Sequence, residues 1–161
     1  MRRMHAWSRE RLAIATLLFV PTLAPHRDSF DAQIIPRQGI EWGVMMPGVP
    51  VRVTPQNEGQ RGQIDFVGQD NFNATLVFPA NLTSLKGDRL AVSVQTGDLM
   101  LQYTRNGGTS FPDPTLPISI HTNSGQGDAM LFIGGTASPA PTQAPGSYAG
   151  LVRVVIVRTT L

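Results

Sequence analysis

A chain of 161 residues, 41% hydrophobic and 15% charged, is long enough for one folded domain and too apolar to remain disordered throughout. The absence of cysteine excludes disulfides, thiolate metal sites, cysteine nucleophiles and a lipid-modified cysteine. From Gln33 onward eight basic side chains meet eight acidic ones, so the net charge of +2 belongs to the first 32 residues and nucleic acid loses its electrostatic support as a partner.

The first segment reads as an address. Met1-Arg-Arg-Met-His-Ala-Trp-Ser-Arg-Glu-Arg11 is a basic start, and Leu12-Ala-Ile-Ala-Thr-Leu-Leu-Phe-Val20 is an uncharged apolar run closed by Pro21. That order predicts a secretory signal peptide helix, and the run is too short to be a stable membrane span. The alternatives are an uncleaved anchor or a buried first helix. Thr22-Leu23-Ala24 has small residues suited to cleavage, but Pro25 blocks it; Asp31-Ala32-Gln33 also ends in Ala, although Phe30 is bulky. The bond after Ala32 is favoured, giving a signal peptide over residues 1–32 and a single domain over 33–161.

Beyond the leader, apolar residues alternate with polar ones, the pattern of strands with one buried face. In chain order the runs are Ile40/Trp42/Val44, Val49/Val51/Val53, Ile64/Phe66 and Phe72/Ala74/Leu76/Phe78, the last opposed by Asn71, Asn73 and Thr75. Next come Leu90/Val92/Val94 and Leu99/Leu101/Tyr103, placed as a hairpin across Thr96-Gly97-Asp98. Ile118/Ile120 and Met130/Phe132 follow. In the last run Tyr148, Gly150, Val152, Val154 and Ile156 share a face opposite Leu151, Arg153, Val155 and Val157. Gly 16 and Pro 13 supply the turns. A long loop with Pro112, Pro114 and Pro117 covers residues 107–117, and a Pro-rich connector runs from Ser138 to Pro145. The expected fold is all-β, a sandwich or barrel of about eight or nine strands.

Four stretches carry a resemblance. Ile40-Glu-Trp-Gly-Val-Met-Met-Pro-Gly48 has the form of a first strand, a Gly and a Pro-Gly turn. Phe72-Asn-Ala-Thr-Leu-Val-Phe-Pro-Ala80 is a strand ending in Pro. Near the end stand Leu131-Phe-Ile-Gly-Gly-Thr136 and Ala144-Pro-Gly-Ser-Tyr-Ala-Gly-Leu-Val-Arg-Val-Val-Ile-Val157. In order and spacing these resemble the bacterial secreted family known as domain of unknown function 4402, across nearly the whole mature chain. The resemblance implies an immunoglobulin-like or pilin-like β-sandwich in the cell envelope or outside the cell, and brings no catalytic residues with it. Glu41-Trp42 departs from the small aromatic-Gly step common in such domains.

Chemistry is sparse. His121 is the one histidine after the expected cut, too few for a usual zinc site without cysteine. Gly146-Ser147-Tyr148-Ala149-Gly150 misses G-x-S-x-G by one place and precedes a strand instead of a helix, so Ser147 is not read as a nucleophile. Asn123-Ser-Gly-Gln-Gly-Asp128 lacks the spaced acids of calcium loops and reads as a Gly-rich hairpin. Asp65 is expected to face water. Asn73-Ala-Thr75 and Asn81-Leu-Thr83 fit the glycosylation sequon, an incidental match in a bacterial protein. Trp42 and Tyr103 could form a sugar platform, with core packing of Trp42 the preferred alternative.

No catalytic, metal-binding or cofactor-binding residue is therefore predicted, and no cofactor. The expected function is that of a non-catalytic exported envelope or surface subunit, in the periplasm, on the outer surface or outside the cell. Its partners are expected to be itself or other envelope proteins. Val152 to Val157 is apolar on both faces with Arg153 interposed, and such a strand calls for cover on both sides. Arg153 and Arg158 fit as guards against wrong pairing. Donation of an N-terminal arm would have only residues 33–39, with Pro36 inside, which argues against that mechanism. The alternative is an adhesin or carbohydrate-binding module using the loop 106–117.

Overall fold

Alternation of buried and exposed side chains, not helical periodicity, governs the chain in its structure, a computed structural model that describes residues 13–22 (as backbone), 31–105, 107–122 and 128–158. The strands are β1 (Ala13–Thr22), β2 (Ala32–Gln38), β3 (Ile40–Met45), β4 (Val51–Val53), β5 (Gly62–Gly68), β6 (Asn71–Val77) and β7 (Asn81–Ser84). They continue with β8 (Arg89–Ser93), β9 (Leu99–Tyr103), β10 (Thr109–Ser110), β11 (Ile118–His121), β12 (Ala129–Ile133), β13 (Gly135–Ser138) and β14 (Gly146–Arg158). No helix occurs among the described residues.

These strands form two sheets, which makes the domain a β-sandwich. The smaller sheet has the order β10-β9-β12-β5-β2. The larger follows β11-β6-β14-β7-β8-β13-β4, with β1 and β3 added beside β14. β14 is its axis. Its residues 153–158 pair with β6 and Tyr148–Ala149 pair with β7, so these two short strands lie end to end along one edge, parted at Pro79. The opposite edge, over residues 146–155, is taken by β1.

One hydrophobic core joins the sheets. Ile64, Phe66, Leu99, Leu101, Leu131 and Ile133 from the small sheet meet Phe72, Ala74, Leu82, Leu90, Val152 and Val154 from the large one, all buried. Phe66 and Phe72 pack edge to face across the layers, with ring centroids 5.6 Å apart. Two of the corners that carry the chain between sheets, β8 to β9 and β12 to β13, are tied together. At the first, Asp98 accepts the Gln95 backbone N–H on Oδ2 (2.9 Å) and Arg52 Nη2 on Oδ1 (2.8 Å). At the second, the Gly134 N–H donates to the Asp98 carbonyl at 2.7 Å. Trp42 Nε1 donates to the Gly135 carbonyl at 3.0 Å, fixing the same corner from β3.

A further pin holds the Pro-rich connector. Tyr148 Oη donates to the Ala144 carbonyl at 2.6 Å and accepts from Gln143 Nε2 at 2.7 Å. A tyrosine at the start of a strand bonded to backbone a few residues upstream is the corner device of immunoglobulin-like sandwiches.

Several expectations change. All nine alternating runs are strands, but the described chain holds fourteen, because β2, β7, β10 and β13 are short or lack a clear alternating run and β1 falls in the leader. The proposed hairpin does not form: β8 pairs β7 and β13 in the large sheet, while β9 pairs β10 and β12 in the small one. The Asp98 anchor makes the intervening turn a corner between layers. In β3 the phase slips at Gly43 (φ 66), so Met45 is buried and Val44 exposed. In β12 the core face is Ala129, Leu131 and Ile133; Phe132 lies on the other face under the Arg61 guanidinium, 3.7 Å from its ring centre. The run expected as a signal peptide helix is strand β1 over Ala13–Thr22, because two sheet edges offer it backbone partners.

Candidate interaction surface

The outer face of β14 is built by the period of two. Tyr148, Val152, Val154 and Ile156 turn inward and are buried, so Leu151, Arg153, Val155 and Val157 turn outward. Leu151 is 55% exposed and Val157 61%. On the adjoining strand Val77 is 51% exposed, in register with Arg153. Val77, Phe78, Pro79, Leu151, Val152 and Arg153 line a shallow groove of about 330 Å³. The result is an apolar strip along the large sheet, with charge at Arg153 and Arg158. Arg158 reaches Asp70 at 3.6 Å.

On either side of β1, β3 and β14 form a slot one strand wide. β1 runs parallel to β14 from Ala13 opposite Gly146 to Thr22 opposite Val155. It runs antiparallel to β3 from Ala13 opposite Met45 to Leu17 opposite Ile40, with a register shift between Ala15 and Thr16 at the Gly43 bulge. Tyr148, Val152, Val154, Ile40 and Trp42, all buried, lie on the strands that border it.

The residues singled out for chemistry do not converge. Trp42 and Tyr103 are core residues, 2% and 9% exposed, and offer no platform to a sugar. His121 is exposed at the end of β11, where its backbone N–H donates to Tyr103 Oη at 3.1 Å. Ser147 is exposed at the start of β14, which continues as strand. Asp65 is more enclosed than expected: it pairs with Arg37 at 2.6 Å and accepts from Gln63 Nε2 at 2.8 Å. Asn73 and Asn81 lie in β6 and β7. Residues 123–127 of the Gly-rich segment, residue 106 of the long loop, the basic start 1–11 with Leu12 of the apolar run, and the alternative cut at Ala24 lie outside the described residues. Among the described residues no group of three or more His, Asp or Glu is placed to hold a metal ion.

The long loop folds against the first corner. Pro114, Asp113 and Thr115 face Val94, Gln95 and Thr96 across a groove of about 420 Å³. Asp113 Oδ1 accepts from the Thr115 hydroxyl (2.7 Å) and from its backbone N–H (2.8 Å), and these bonds hold its carboxyl below the usual range. A scan against protein-family models finds no match to this chain, and a search of curated proteins finds none either.

Sequence reasoning found the two-faced apolar β14 but missed the slot. An uncharged ten-residue run suits a strand between two edges as well as an export leader, so the run alone does not reveal the slot.

Proposed function

We propose that this domain is an exported, pilin-like subunit of a bacterial envelope or cell surface, which works by assembling with other subunits and carries no catalytic activity. The observation that carries the reading is the outer face of β14, where Leu151, Val157 and neighbouring Val77 stay exposed on a strand whose other face is buried. Apolar strips of this kind favour contact with another protein surface, at roughly 25 cal/mol per Å² of apolar area covered. The resemblance to domain of unknown function 4402 and the basic-then-apolar leader support export.

Light scattering on the full chain across rising concentration tests it. Mass is expected to rise above the monomer, and the double substitution Leu151→Lys, Val157→Lys is expected to return it to monomer with an unchanged β-rich circular dichroism spectrum. A strict monomer at the highest concentration reached would sink the assembly reading.

A further inference from the structure

We infer that one end of the sandwich docks on an anionic phospholipid bilayer, its turns setting Met46, Val49 and Leu85 among the headgroups while Lys86 and Arg89 meet the phosphates. The inference goes beyond the assembly reading and does not depend on it.

The argument begins with the direction of the strands. Gly146 stands opposite Ala13, and Ala13 opposite Met45. Ser84 stands opposite Tyr148, Arg89 opposite Thr83, Ser138 opposite Ala91 and Val51 opposite Ala137. The turns 46–50 and 85–88 and the connector 139–145 therefore leave the large sheet at the same end. They are also bonded to their neighbours there. The Gly48 N–H donates to the Pro139 and Ala140 carbonyls, each at 3.1 Å, and Gln143 Nε2 donates to the Arg89 carbonyl at 3.2 Å.

The chemistry of this end is apolar tips beside cations. Leu85 is fully exposed, Met46 66% and Val49 45%. Residues 42–51 and 138–152 hold no charged side chain. In the turn 85–88 the carboxylate of Asp88 is engaged by the Ser84 hydroxyl at 3.1 Å. Lys86 and Arg89 are exposed, and among the described residues no ion pair holds either. Apolar side chains carried singly on separate turns suit a headgroup layer, which yields around each tip, better than a rigid protein face. The cations add attraction to anionic lipid. The far end of β14 has the opposite character, with Asp31 and Asp70 beside Arg158. An anionic surface therefore selects one end of the molecule. In the uncut chain the residues before Ala13 join at the docking end, and Arg2, Arg3, Arg9 and Arg11 outweigh Glu10 there. The tips themselves all lie beyond residue 32 and stay when the leader goes.

The chain has no cysteine, so a single introduced one reports a single place. Full-length Leu85→Cys and Val157→Cys, each carrying a polarity-sensitive fluorophore, are mixed with vesicles of phosphatidylcholine, alone or with one third phosphatidylglycerol. Emission from position 85 is expected to shift to the blue on the anionic vesicles, and emission from position 157 to stay unchanged. Sedimentation with the same vesicles should show partition falling several-fold for Met46→Ser with Leu85→Ser. Lys86→Gln with Arg89→Gln should lower it by at least about fivefold, since one basic side chain near an anionic surface is worth roughly that factor. All four side chains are exposed, so the circular dichroism spectrum should not change.

Vesicle binding that leaves the label at 85 in water would show that the arginines before Ala13 hold the chain, and would overturn docking through this end. A blue shift at 157 in place of 85 would overturn it too, by putting lipid on the β14 strip. So would undiminished partition of either double variant, or equal binding to phosphatidylcholine alone. A lower light-scattering mass for Met46→Ser with Leu85→Ser in the absence of lipid, with partition unchanged, would make the tips a protein contact instead. None of these outcomes touches the assembly reading, which stands on the mass of the Leu151→Lys, Val157→Lys variant.

Discussion

Asp98 is 1% exposed, yet both carboxylate oxygens are engaged, one by Arg52 and one by the Gln95 N–H. The Arg52 side chain remains 58% exposed, so the ion pair is half in water and the backbone bond is the larger share of what the carboxylate does. Asp98→Ala is expected to cost roughly 2–4 kcal/mol, since it strips a buried corner of its acceptor. Asp98→Asn, which keeps an oxygen toward Gln95, should cost less; urea unfolding midpoints with unchanged slope would check both. Asp113 behaves differently. Its carboxyl sits at the surface, lowered first by the Thr115 hydroxyl and then by the Thr115 backbone N–H. A lowered folded value means that whatever order it lends the loop is complete above the ordinary 3.8 and disappears as pH falls through the lower value. Thr115→Val should move the Asp113 midpoint back up toward 3.8, read by carboxyl carbon chemical shifts across an acid titration.

Among the elements, the passage from β12 to β13 is the most tightly constrained. A Cβ on Gly134 would fall within the Val53 carbonyl oxygen and crowd the Thr54 backbone, atoms that cannot swing aside. Gly134→Ala should therefore destabilise by about 1–3 kcal/mol through overpacking, measurable by denaturant unfolding, whereas Gly59→Ala, with open space around it, should not. This passage explains why Gly134-Gly135 stands out in the sequence without revealing what it does. Alternation told which residues of β6, β9 and β14 face inward, because each has a single period uninterrupted by a bulge. It failed at Val44, where positive φ at Gly43 reverses the phase, and at β8–β9, where short spacing suggested a hairpin but Asp98 directs the two strands to different sheets. Spacing carries no information about which layer a strand enters. Side-chain tethers decide that.

For the whole molecule, the two-sheet sandwich was legible from composition and period, while the site was not. The outer apolar strip of β14 could be read from Leu151, Val155 and Val157, since their faces follow from Val152 and Val154 being core. The slot could not, because it depends on two strands far apart in sequence, Ile40–Met45 and Gly146–Arg158, failing to touch each other. The helix expected over the first apolar run is a strand in the structure: the same uncharged stretch suits a helix and a strand between two edges. Its surroundings, not its residues, choose between them.

The axis of the large sheet, β14, comes after every other strand in chain order. A polypeptide emerging from its N-terminus first therefore has β6, β7 and β11 without the element that unites them, and the core lacks Tyr148, Val152, Val154 and Ile156 until the end. Closure of the large sheet therefore waits on the last strand to be made, and removing β14 would leave β6 and β7 with no strand joining them.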